Sequence, residues 1–191
     1  MRSAASPATR VEIRLVAPRA KIRLQGWDSP LSIPPAPESF GAIAGTSWPS
    51  ATGVSAGAAT RVLCVGPADW LVVSDEGEPG SLLEKVQAAI GGSSLRVADV
   101  SQAFAILAIS GNRARDLLAK GCGLDLHPRA FGPGACARTR LANVAAIVDC
   151  LVDRMGDGVS DAPVFRCYVA RSHCDYLVSW LTDAAAEWPA A

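Results

Sequence analysis

The stretch "TRVLCVGPADWLVVSDEGEPGSLLEKVQAAIGG", Thr60–Gly92, carries two different periods in one run. Its first half sets two apolar runs on either side of Gly66, Pro67, Ala68 and Asp69, residue types that favour a turn, and reads as a hairpin. In its second half Leu82, Leu83, Val86, Ala89 and Ile90 fall at helical spacing and stop at Gly91 and Gly92, so a helix follows. A hairpin feeding a helix makes an α+β layer arrangement the natural expectation: antiparallel or mixed sheets with helices packed on one face.

The same alternation continues downstream. "SLRVADVS" and "AFAILAIS" read as strands and "GNRARDLLAKG" as a short helix, with Leu117 and Leu118 inward and Gly121 as its stop. "ACARTRLA", "VAAIVDCLV" and "PVFRCYVA" supply three more strands. The last element, "RSHCDYLVSWLTDAAAEW", reads as a helix with Ser172 as N-cap, Asp175 three residues on, and a stripe of Tyr176, Leu177, Trp180, Leu181 and Ala184. Upstream, "AKIRLQG" alternates apolar and charged residues as a half-exposed strand does. Residues 1–10 are small and polar and expected to be disordered. From 27 to 60, with "SIPPAPESF" as its clearest breaker, no period survives, and an irregular surface arm is expected. Arms of that length are uncommon in compact domains unless they bind something.

The chain of 191 residues is 50% apolar and 19% charged, the range of one globular domain spanning 1–191. Lys and Arg together number 18, as do Asp and Glu, and that balance favours neither nucleic acid nor a membrane surface as partner. No signal-like or spanning apolar segment is present, so a soluble cytoplasmic protein with reduced cysteines is expected.

Several residues invite a chemical reading. Cys122, Asp125, His127 and Cys136 are able metal ligands, but structural zinc recruits cysteines in close pairs and these are not paired. Cys122 with His127, or His173 with Cys174, would be the thiol–base combinations. Adjacent side chains on a helix diverge by about 100°, which sets the second pair apart. In "HPRAFGPG" the prolines and glycines shape a connector that Phe131 anchors; His127 and Arg129 either brace it or contact another subunit. Asp69 beside Trp70 reads as a turn acid next to a core aromatic. No P-loop, dinucleotide fingerprint or nucleophile elbow occurs. The expected site assignment is no catalytic residue and no metal ligand.

Taken together, "VGPADWLVV", "ADVSQAFAILAISGNRARDLLAKGCGLDLHPRAFGPGACARTRLA" and "PVFRCYVARSHCDYLVSWLTDAAAEW" resemble the gamma subunits of heterotetrameric sarcosine oxidase. The resemblance spans about residues 61–188, a family-like core with the arm outside it. It implies a complex in which an alpha subunit binds NAD and carries a folate-binding half, a beta subunit holds FAD, an FMN is covalently attached near the alpha/beta contact, and a delta subunit carries zinc. Such an enzyme oxidises the N-methyl group of sarcosine with oxygen, giving glycine and hydrogen peroxide, and passes the one-carbon unit to tetrahydrofolate. The gamma chain is implied to bind chiefly alpha, to hold no cofactor and to have the fold of aminomethyltransferase folate-binding domains. In that fold "AAIVDCLV" stands where a glycine pair precedes two acids, one of which contacts folate. Here Ala145 and Ala146 replace the glycines and only Asp149 survives of the acids, which leaves Asp149 as the one folate candidate. An independent folate-dependent one-carbon transferase is the competing reading, and a thiol or metal enzyme a third.

Overall fold

A computed structural model describes residues 11–17, 19–26, 49, 53–56, 59–75, 79–91, 95–151 and 162–188. Among them the chain runs β1 Glu12–Leu15, β2 Ala20–Gly26, β3 Gly53–Ala56, β4 Thr60–Gly66, β5 Asp69–Ser74, α1 Pro79–Ala89, β6 Leu95–Asp99, β7 Phe104–Ser110, α2 Ala114–Ala119, β8 Cys136–Leu141, β9 Val144–Leu151, β10 Val164–Ala170 and α3 Cys174–Ala185. Where the sequence suggests one domain over 1–191, the chain divides into two compact units, each with its own five-stranded sheet. One comprises Ala17–Phe104 with Gly134–Arg138; the other comprises Met1–Val16, Ala105–Pro133 and Thr139–Ala191.

The first of these units is built on the expected hairpin. β4 and β5 pair antiparallel in the order β3-β4-β5-β2-β6, with Ala68 at φ 50° closing the turn. Leu24 opposes Trp70 and Ile22 opposes Val72, so these four share a face; α1 supplies Leu82 and Val86 to the same core, and Ile90, just past its end, joins them. Trp70 is fully buried there, and its indole N–H donates to the Pro49 carbonyl at 3.4 Å. Each such large apolar side chain removed from water contributes roughly 1.5–3 kcal/mol, which fixes the register of the hairpin against slippage. Two details differ from the sequence expectation. β2 lies between β5 and β6, and the polar side of its alternation is open only in part: Lys21 is buried, its ammonium donating to the Arg19 carbonyl at 2.8 Å, while Arg23 is half-buried and Gln25 exposed. Part of the stretch read as an irregular arm, Gly53–Ala56, is a strand paired with β4, too short for its period to show. Residues 1–10, and most of 27–60, lie outside the described residues.

The second unit has the sheet order β1-β7-β10-β9-β8. β10 pairs antiparallel with β9, setting Asp149 opposite Arg166 and Ile147 opposite Tyr168. β1, not foreseen in "EIRL", pairs with β7 from Glu12↔Ser110 to Leu15↔Leu107 and forms the sheet edge. The last helix is corrected at its start. A 3-10 turn, Arg171–His173, precedes α3, His173 takes the cap position with no side-chain cap bond, and Ser172 is no cap. That turn moves the helix start one residue along the chain; Cys174, Leu177 and Leu181 form the buried stripe and Tyr176 turns outward.

Candidate functional site

The connector between α2 and β8 gathers most of the chemically able residues, and its geometry follows from the short helix before it. Leu117 and Leu118 are fully buried, as their spacing requires, and pull α2 onto its sheet. The chain then leaves the helix through Gly121, whose N–H donates to Leu118 O and whose carbonyl accepts from Ala142 N–H. Cys122 forms an antiparallel bridge with Leu141, its thiol 3.6 Å from Thr139 Oγ1. That thiol is therefore packed under the turn, and its neighbours are β8 residues.

Beyond it, Leu126 and Phe131 are buried while His127, Pro128, Arg129 and Ala130 between them are exposed. His127 O accepts from both Ala130 N–H and Phe131 N–H at 2.9 and 2.8 Å. Asp125 Oδ1 accepts from His127 N–H at 2.9 Å, and His127 Nδ1 accepts from Arg129 N–H at 3.2 Å. The residue that holds this turn from beneath was not singled out in the sequence. Arg115 donates from Nη1 to Leu126 O and, at 2.9 Å, to Phe131 O, and its guanidinium lies 5.0 Å from the Phe165 ring centre. Its only sequence signal is a place one helical turn before the buried Leu118. Arg129 N–H donates to His127 Nδ1, and among the described residues its guanidinium has no partner, so the side chain does not brace the connector.

The remaining candidates are placed separately. Asp149 lies on β9, one strand in from the edge, and is fully buried rather than facing water; Tyr168 O–H donates to it at 3.5 Å. A pterin reaching this carboxylate would have to displace protein. Asp69 begins β5 and accepts from Arg23 Nε at 2.9 Å and Nη2 at 2.7 Å, with Arg138 Nη2 3.5 Å away. This fork raises the Arg23 pKa, chiefly through the hydrogen bond to Asp69. It is an ion pair that ties β2 to the hairpin turn. Cys136 belongs to the hairpin unit, and its thiol donates to the carbonyls of Gly53 and Cys64 at 3.2 and 3.3 Å.

All six cysteines are free and buried. Burial pushes the Cys167 thiol far up, with Cys122 and Asp149 adding to the shift, and burial likewise raises Cys64 and Cys174. Such thiols are poor nucleophiles, because attack needs the thiolate. His173 is exposed while Cys174 is buried at the start of α3, so the two do not face one another. Among the described residues no group of three or more His, Cys, Asp or Glu could hold a metal ion, and no helix is long and apolar enough to cross a membrane.

Comparison with known proteins agrees with this layout. The sarcosine oxidase gamma subunit family model matches residues 36–187. The chain belongs to that family. The match begins inside the Pro-rich stretch that the sequence resemblance left outside. Curated gamma subunits include one from Corynebacterium sp. strain U-96, 34% identical over 152 residues, covering 78% of this chain and 69% of that one. Another, from an Arthrobacter species, is 39% identical over 149 residues, covering 77% and 68%. Among solved structures, a chain of the heterotetrameric sarcosine oxidase from Corynebacterium sp. U-96, in complex with pyrrole 2-carboxylate, superposes with a TM-score of 0.78 at 30% identity. The superposition covers 96% of this chain and 88% of that chain. Aminomethyltransferase T of the Bartonella henselae glycine cleavage system gives a TM-score of 0.62 at 14% identity, over 91% of this chain and 46% of that one, which establishes a shared fold. The α+β fold of the aminomethyltransferase type expected from the sequence is thus the observed one.

Proposed function

We propose that this chain is a noncatalytic subunit of a heterotetrameric, flavin-dependent sarcosine oxidase, acting in the cytoplasm to support the alpha subunit beside beta and delta. The observation that carries this is the superposition of 96% of the chain on a chain of the heterotetrameric enzyme. The side chains support it. Asp69 is engaged by Arg23, Asp149 by Tyr168, and the thiols of Cys136 and Cys122 by two carbonyls and by the Thr139 hydroxyl, so these groups hold the chain together. On this reading NAD, FAD, FMN, tetrahydrofolate and zinc are bound by the other subunits. Oxidation of the N-methyl amine, with transfer of its one-carbon unit, takes place there as well.

A tagged form of the chain recovered from its native cell tests the reading. The expected eluate contains three further chains, flavin absorbance and sarcosine-dependent peroxide formation. Elution alone and colourless would sink it.

A further inference from the structure

Resting on that reading, we infer that the exposed turn His127–Ala130 is a preorganised docking element whose partner is a carboxylate-bearing segment of a neighbouring oxidase subunit. Three observations lead there. First, the turn is rigid for an exposed loop. Both of its flanking carbonyls, Leu126 O and Phe131 O, accept from one guanidinium, that of Arg115, which sits beneath the turn and against Phe165. Leu126 and Phe131 are themselves buried anchors.

Second, the donors within the turn are satisfied from within it. His127 N–H goes to Asp125, Arg129 N–H to His127 Nδ1, and the N–H groups of Ala130 and Phe131 to His127 O. With Nδ1 accepting a backbone proton, a neutral His127 ring carries its own proton on Nε2. The ring is held in one orientation with that N–H as its free donor.

Third, the uncommitted side-chain groups of His127–Ala130 are donors, with the exposed Asp125 carboxylate just before them already accepting from His127 N–H. Those donors are the imidazole Nε2–H and the Arg129 guanidinium, which has no side-chain partner among the described residues. Pro128 lies between them and Ala130 after them, both exposed and neither with a polar side chain. The planar fork of an arginine matches a carboxylate through two parallel bonds. Because the backbone is already fixed, little conformational entropy is lost when that pair forms.

The experiment uses the complex assembled with the full chain, comparing wild type, Arg129→Ala, Arg129→Glu and His127→Phe. Association of this chain with the other subunits is measured by titration at several NaCl concentrations. Circular dichroism and thermal melting of each free variant check that it is folded. Arg129 and His127 are exposed, and Arg129→Ala keeps the backbone N–H that the turn uses, so that variant should melt as wild type does. The expected result for Arg129→Ala is association weakened at least about tenfold with a shallower salt dependence. Arg129→Glu should lose more, and His127→Phe should lose less. If wild type assembles and the folded Arg129 variants assemble within twofold of it, the docking element is wrong while the subunit reading stands. If wild type itself does not associate with any oxidase subunit, both fall together.

Discussion

A methyl group placed on Gly121 would stand 2.5 Å from Cη2 and 3.0 Å from Cζ2 of Trp180, so the last helix lies directly against the bare backbone that ends α2. Lys120, the neighbouring residue, reaches the same helix end. Its ammonium donates to Ala184 O, pairs with Glu187 and sits 4.3 Å from the centre of the Trp188 ring. One end of α3 is thus closed by cation, carbonyl and aromatic together, and its middle by the absence of a side chain.

Gly121→Ala should therefore cost about 1–3 kcal/mol, the range for overfilling a packed contact. Urea unfolding followed by tryptophan emission would measure it. Adding Trp180→Phe to Gly121→Ala should return more than half of the loss, because the two residues share one contact. Independent, additive losses would remove the contact as the cause.

Arg115→Met should lower stability by about 2–3 kcal/mol, since two carbonyls lose a charged donor. Hydrogen exchange should accelerate at the amides of Ala130 and Phe131 well before the global unfolding rate. Arg115→Lys should restore little, as a single ammonium cannot span both carbonyls as the guanidinium does. Unchanged exchange in Arg115→Met would mean that the turn holds itself.

The raised thiols fix a pH response. Cys64, Cys167 and Cys174 ionise above their ordinary range in the folded chain, chiefly because burial disfavours the thiolate. In the unfolded chain a thiol ionises near pH 8.5, so this contribution to stability is complete below that value. It is lost as the pH rises beyond it toward the folded values. Denaturation midpoints between pH 7 and 10 should fall accordingly. Reaction of the native chain with a disulfide reagent should proceed at the rate of opening, and all six cysteines should react once urea is added. Rapid native reaction of any of them would contradict its burial.

Asp149→Asn should weaken the chain by about 1–3 kcal/mol through the loss of a fully buried carboxyl to which Tyr168 O–H donates. Tetrahydrofolate at millimolar concentration should leave the melting temperature of wild type and variant unmoved. Stabilisation of wild type that the variant lacks would restore the one-carbon transferase reading.

Long elements with a clean period were legible in the sequence. The hairpin around Gly66–Asp69, α1 with its Leu82, Val86 and Ile90, and the strands from Cys136 onward all fall where their periodicity puts them. What escaped depends on partners distant in sequence. β1 is a strand because Ser110–Leu107 lie beside it, not because four residues display a pattern. Lys21 is buried, and its N–H donates to Ser101 Oγ at 2.9 Å, a partner far beyond any local window. A 3-10 turn at Arg171 moved the cap of α3 from Ser172 to His173, and the buried stripe keeps Leu177 and Leu181 while gaining Cys174 and losing Tyr176. Around the connector, Gly121 could be read as a stop but not as the seat of Trp180, and Arg115 had the look of a surface charge. Both act through residues that no local window contains.

The pairing of Glu12 with Ser110 also sets a timetable for synthesis. β1 leaves the ribosome ahead of the other strands described, and its partner strand follows by nearly a hundred residues, roughly 5–20 s at ordinary elongation rates. The β4–β5 hairpin and α1 are translated within that interval, so Ala17–Phe104 can begin to close while β1 waits as an unpaired edge. Its own unit is completed by Thr139–Ala191, which is translated later still. A ribosome stalled before that point would hold a nascent chain with one sheet closing and the other still lacking its final strands.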